Sequence, residues 1–259
     1  MSNQKKILVI VEGEKTEQQF FKSLEAAFSL TFTICCFRAN IYALYNKLEE
    51  LDFCADIKQI LIEMHPEYKD ALSDKFVYTY LVFDFDAHHP KKDDVRELED
   101  IVSSNIEKIK KMSSFFTDET DPTIGRLYIN YPMMESFRTC DDVFDLNYQN
   151  EFVSLPDINS FKNYAGTKQL AAKRIDSYNR FDFKQLAKMN VYKLNLLMLC
   201  NWESMTYTQY LDNSDATKIL DKQAETIAQY KKIAVLNTSL FLLIDYFGDK
   251  NGFYRFIMR

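Results

Sequence analysis

The segment VIVEGEKTEQQFF, Val9–Phe21, decides how the chain is read: an apolar run breaks at Glu12–Gly13, passes through further charge and enters a helical pattern. Taken from Lys6, KILVIV is a continuous β-branched run, the signature of a strand buried on both faces of a sheet. Behind it, Thr16 and Gln19 have the spacing of a capping box, and Phe20, Phe21, Leu24 and Phe28 line one helical face. YLVFDFDAHHP, Tyr80–Pro90, repeats the theme, with an apolar strand ending in Asp84 and Asp86. Both segments put carboxylates at the tip of a strand built for burial.

Outward from these two segments, strands and helices alternate. LTFTICCF reads as a strand, and Asn40 caps a helix carrying Ile41, Leu44, Tyr45, Leu48 and Leu51. ADIKQILIEMH is a shorter helix ended by Pro66. KFVYTYLVF is the third strand, Asp93 through Met112 a charged surface helix, and GRLYINYP a fourth strand closed by Pro132. This order predicts an α/β fold with a mainly parallel sheet flanked by helices. In such sheets ligands gather outside the carboxyl ends of the strands, where Glu12, Asp84 and Asp86 lie. From Asn147 onward the pattern is helical without a convincing strand. Residues 1–145 therefore read as the α/β domain and 146–259 as an all-helical C-terminal subdomain. Its long helix starts at Asn213 or Ser214 and is stopped by Gly248.

The 259 residues suffice for a substantial core, and a 47% hydrophobic content excludes a disordered chain. The longest apolar stretches fall short of the ~18 residues of a membrane-spanning helix. MSNQKK leads directly into the first strand without a signal-peptide pattern, so a cytoplasmic protein with no membrane partner is expected. Five cysteines form no CxxC pair or zinc spacing and read as reduced thiols. A net charge of −6 counts against non-specific grip on a phosphate backbone, although HHPKKDDVR and IEKIKKM are local basic stretches.

An ionised carboxylate at the end of a buried strand is paired, hydrogen-bonded or metal-bound, or else its pKa rises until it neutralises. Three such groups at one edge repel one another, and a divalent cation relieves that repulsion. Oxygen ligands without a Cys/His set favour Mg²⁺ or Mn²⁺. The i, i+2 spacing of Asp84 and Asp86 puts both on one side of a strand, roughly 6–7 Å apart. Gly13 reads as a turn residue needing φ > 0, or as a gap through which a phosphate reaches the helix N-terminus. Glu14 and Glu17 also complement the dipole of the following helix. His88, His89, Lys91 and Lys92 read as exposed turn residues, with contact to substrate phosphate as the functional reading. Glu135 reads as a helix-starting acid, and Trp202 as core.

Together, ILVIVEGEKTEQQFF and the later YLVFDFD resemble the topoisomerase–primase (TOPRIM) domain, with a glutamate after the first strand and a DxD after the third. EGEKTE is similar to the RloB-like branch, small TOPRIM proteins linked to bacterial antiphage and abortive-infection systems. INYPMMESF is similar to that branch's Asn-Pro…Glu segment, with Tyr131 inserted between Asn130 and Pro132. The resemblance covers roughly the first 145 residues. It implies metal-dependent phosphodiester cleavage, with Glu12 and Glu135 as catalytic acids and Glu12, Glu17, Asp84 and Asp86 around Mg²⁺ or Mn²⁺. Substrate contacts fall to Gly13, Lys15, His88 and Lys91. It further implies a nucleic-acid substrate and an ABC- or AAA-type ATPase partner, and it allows for a homo-oligomer.

Two other readings compete. A HAD-type phosphatase also uses a DxD after a strand, but it leaves Glu12–Gly13 unexplained. A non-catalytic TOPRIM-like module that senses nucleic acid or regulates a companion protein suits the acidic charge and the helical half.

Overall fold

The computed structural model describes residues 5–89, 96–140 and 146–257. Its strands are β1 (Ile7–Val11), β2 (Phe32–Cys36), β3 (Tyr78–Asp84), β4 (Thr117–Asp118), β5 (Gly125–Tyr131), β6 (Phe152–Ser154), β7 (Lys232–Ala234) and β8 (Leu236–Asn237). The first helices are α1 (Thr16–Phe28), α2 (Ile41–Glu50), α3 (Ile57–Met64), α4 (Lys69–Leu72), α5 (Leu98–Phe115) and α6 (Leu146–Gln149). They are followed by α7 (Phe161–Gly166), α8 (Gln169–Ala172), α9 (Arg180–Leu199), α10 (Tyr207–Asn213), α11 (Ala216–Tyr230), α12 (Phe241–Phe247) and α13 (Lys250–Ile257).

The fold is α/β, as the alternation predicts, with a mostly parallel mixed sheet flanked by helices. Strand order is β2-β1-β3-β5-β4, and β8 pairs with β5 off that path. β1 runs parallel to both β2 and β3, with Val11 opposite Cys36 and Val82. β3 and β5 are parallel, with Asp84 opposite Asn130. These registers bring the carboxyl ends of four strands to one rim. All five residues of β1 are fully buried, as a central parallel strand requires.

The second half departs from the sequence expectation. Residues 146–259 are not all helical, because β6 and β7, far apart in the chain, pair as a two-stranded antiparallel sheet and β8 extends the main sheet antiparallel to β5. The long helix expected to run to Gly248 is divided. α11 begins behind Asp215, whose carboxylate accepts the Thr217 and Lys218 N–H groups, and ends at Tyr230, where Lys231 turns left-handed. Gly248 instead terminates the short α12. Ile233, Val235 and Leu236 carry too little sequence to declare strands alone, and β5 supplies the partner that makes β8 one. The helix expected from Asp93 starts at Leu98, behind the extended Glu97.

Among the described residues, the buried side chains of the first and second halves join in one core. Phe20 packs on Phe21, Phe137 and Phe183, and Phe28 on Phe183, Phe247 and Phe256. A buried polar network adds direction to this apolar contact. Asn237 Nδ2 donates to Met134 O (3.0 Å) and Ser136 Oγ (3.1 Å), and Thr238 Oγ1 donates to Ile129 O (2.8 Å). Ser239 N donates to Asn130 Oδ1 (3.2 Å). Each bond is worth roughly 1 kcal/mol when made and more when a buried partner is orphaned. Their effect is to fix the chain just beyond β5, where Met134 and Glu135 reach the rim.

Candidate functional site

Glu12 follows β1 and is anchored on both sides, its N–H donating to Val82 O (3.2 Å) and its carbonyl accepting from Arg38 N (2.9 Å). Its side chain crosses to the neighbouring strand, where Glu12 Oε2 accepts the Asp84 N–H at 3.1 Å. Asp84 Oδ1 in turn accepts the Met134 N–H at 2.7 Å. The tips of β1 and β3 and the turn after β5 are thus linked through two carboxylates.

That proximity has an electrostatic cost. Burial, and then the charge of Asp86, push Glu12 up to about 8, against the opposing pull of the Asp84 N–H. Burial raises Asp84 well above the carboxylate range, and Glu12, Glu17, Asp86 and Glu135 add to it. All five acids therefore share one electrostatic neighbourhood.

Asp86 reaches that neighbourhood by a route other than the one its spacing suggests. β3 ends at Asp84, and Asp86 has φ +20°, so the two carboxylates do not lie on one side of a pleated strand. Aspartate tolerates this conformation better than most residues. The chain turns there, with His89 N donating to Asp86 O (2.9 Å). Asn105 of α5 clamps the turn by donating to Ala87 O and His89 O, both at 3.0 Å. Asp86, His88 and His89 offer ligand atoms that all lie within 4.8 Å of one another. His88 is buried rather than exposed, and its Nε2 meets Asn159 Oδ1 at 3.0 Å. Lys91 and Lys92 lie outside the described residues.

Two further expectations are corrected at α1. The capping box of Thr16 and Gln19 does not form, because Lys15 takes the cap position and Thr16 lies inside the first turn. Thr16 Oγ1 donates instead to Glu135 Oε1 at 3.2 Å. Gly13 has no left-handed φ. What it provides is space: its N–H donates to Glu17 Oε1 (3.1 Å), and a Cβ at residue 13 would sit 2.8 Å from that oxygen. Burial raises Glu17, and the Glu135 charge adds to that.

Glu135 is buried in the turn Met134–Thr139 and pairs with Lys162 Nζ at 2.8 Å. Lys162, from α7, is mostly exposed and has no local sequence signal. Tyr42 of α2 was also not singled out by the sequence. Its buried hydroxyl has no hydrogen-bond partner among the described residues, and the charges of Asp86 and Glu12 act on it. Lys15 is exposed, and no described contact brings it to the acids. Arg38 pairs with Glu14 and Glu67, both at 2.5 Å.

Comparison with protein-family profiles, with curated proteins and with solved structures finds no match. Among the described residues no helix is long and apolar enough to cross a membrane.

Proposed function

We propose that the chain is a divalent-cation-dependent nuclease that hydrolyses phosphodiester bonds in DNA or RNA, tRNA included. The observation that carries this reading is the Glu12 carboxylate seated on the Asp84 N–H, with Asp86, Glu17 and Glu135 acting on the same pair. Acids crowded this way either keep protons or share a cation. Glu12 Oε1 and Asp84 Oδ2 have no protein donor among the described residues, which suits oxygen ligation of Mg²⁺ or Mn²⁺ by Glu12, Asp84 and Asp86, with Glu17 beside them. Such an ion, when bound, polarises a phosphate oxygen and acidifies a water.

The chain's own groups divide the remaining work. Glu12, which the TOPRIM resemblance assigns as general acid/base, has its proton affinity raised by burial and Asp86, and a bound cation would draw it back toward the carboxylate form. Glu135, bonded to Thr16 and Lys162, holds that lysine at the rim, where its ammonium meets a phosphate. Gly13 N–H is occupied by Glu17, so the glycine serves the acid cluster rather than the phosphate. The TOPRIM resemblance supports a role in bacterial antiphage defence, in the cytoplasm, beside an ABC- or AAA-type ATPase.

One observation favours the non-catalytic alternative: Glu17 and Glu135 already have internal partners, as in a structural acid cluster. Cleavage of plasmid, single-stranded DNA and total tRNA, with Mg²⁺ or EDTA, separates the two. Wild type should cut only with the cation, and Glu12→Ala and Asp84→Ala should not cut. Equal cleavage by all three refutes the site. Cation binding without cleavage, alone or with the ATPase, favours the sensing module.

A further inference from the structure

We infer that the turn after β3 is a second, nitrogen-bearing cation site, formed by Asp86, His88 and His89, that takes a borderline transition-metal ion such as Zn²⁺ rather than Mg²⁺. It shares Asp86 with the proposed nuclease centre but does not depend on nuclease activity.

The ligand atoms of these three residues lie within 4.8 Å of one another. Around a tetrahedral zinc with bonds of about 2.0–2.2 Å, ligand atoms sit roughly 3.4 Å apart, so modest side-chain rotations close the set. Two orphaned polar atoms and a turn already held in shape point to a ligand.

The first is the state of His88. The residue is 9% exposed, and its Nε2 faces Asn159 Oδ1 at 3.0 Å. A carbonyl-type oxygen only accepts, so Nε2 carries the hydrogen, and in the neutral ring Nδ1 carries the lone pair. Nδ1 is buried and has no hydrogen-bond partner among the described residues. Leaving such a group unsatisfied is costly, and a metal–nitrogen bond satisfies it. An outer oxygen holding the far nitrogen of a ligating imidazole is the usual support for such a bond.

The second is Tyr42. Its hydroxyl is likewise buried without a partner, close enough for the Asp86 and Glu12 charges to act on it. A small rotation toward Asp86, or a water on the ion, would supply the partner it lacks. The third is preorganisation: Asn105 clamps both Ala87 and His89 carbonyls, so the turn is set without an ion. His89 is exposed and Asp86 half-buried, which leaves the ion a path from solvent. Two imidazoles with one carboxylate favour Zn²⁺ and its neighbours, whereas Mg²⁺ favours oxygen alone.

The test uses the full chain stripped with chelator, titrated with Zn²⁺ by calorimetry and with Co²⁺ by its visible absorption. Wild type should bind one ion of either metal, and excess Mg²⁺ should not displace it from the two imidazoles. His88→Ala should abolish the Co²⁺ spectrum, and Asn159→Ala should weaken Zn²⁺ binding by about 10–100-fold. Glu12→Ala, which removes the proposed nuclease centre, should retain Zn²⁺. No Zn²⁺ binding by wild type, or binding unchanged in a folded His88→Ala, overturns the inference. Zn²⁺ binding by a chain without nuclease activity overturns only the nuclease reading. Mg²⁺-dependent cleavage without Zn²⁺ binding overturns only this one.

Discussion

The carboxylate of Glu12 and the backbone N–H of Asp84 meet at 3.1 Å, so the acid after β1 rests on the tip of β3. The bond fixes the position of Glu12 without neutralising it, because burial and Asp86 outweigh the single N–H in setting its pKa.

Stability should follow that balance. The folded chain raises Glu12 from 4.5 to about 8, so its contribution to stability is full below about pH 4.5 and is lost as pH rises through about 8. In chelator, the unfolding midpoint should fall across that window as Glu12 is made to ionise beside Asp86, Asp84 and Glu17. Glu12→Gln should flatten the profile and unfold later than wild type at pH 8. A wild-type profile that is already flat there contradicts the assignment.

Cation binding should reverse the same penalty. Mg²⁺ or Mn²⁺ that binds only the folded chain stabilises it by RT ln(1 + [L]/Kd), about 2.7 kcal/mol at a hundred-fold excess over Kd. Thermal unfolding at pH 8 should shift upward with added cation in wild type and not in Asp84→Ala.

Gly13→Ala should act through Glu17. The new methyl would meet the flexible end of a carboxylate, so the stability change should stay below about 1 kcal/mol while Glu17 swings away. Cleavage should fall roughly ten-fold, the order lost when a supporting contact is removed. Adding Glu17→Ala should cost little more, because both changes break the same bond. Additive losses would show that Gly13 acts independently.

Lys162→Ala should leave the buried Glu135 carboxylate with only Thr16. Loss of a charged partner from a buried acid costs about 1–2 kcal/mol, reduced by the lysine's exposure. Chemical denaturation reads this directly, and Glu135→Gln in the same background should recover most of it.

Phe20→Ala should cost about 3–5 kcal/mol, since its ring fills the space between Phe21, Phe137 and Phe183. Because Phe183 comes from α9, a fragment ending at residue 145 should expose this surface and bind a hydrophobic dye. A fragment with native near-ultraviolet dichroism would show instead that residues 1–145 fold alone.

Much of the fold was legible because parallel strands announce themselves: KILVIV and YLVF are apolar without alternation, and burial on both faces requires that. Strand tips could be placed, so Glu12, Asp84 and Asp86 could be named. Local spacing failed where tertiary partners took over. Thr16 gave its hydroxyl to Glu135 instead of capping its own helix, and Asp86 left the strand that spacing assigned to it. Lys162 and Asn159 were invisible, since each meets its partner, Glu135 and His88 respectively, only through the tertiary fold. β8 is two residues long and exists through its pairing with β5.

That pairing sets a clock for biosynthesis. Asn237 reaches Met134 across 103 positions, so at translation speeds of about 5–20 residues per second the rim waits about 5–20 s for its last support. A nascent chain halted before residue 237 carries Glu12 and Asp84 but lacks the strut beneath Met134, whose N–H holds Asp84. Truncated translation products would thus emerge without the full set of rim contacts, which only the nearly finished polypeptide would acquire.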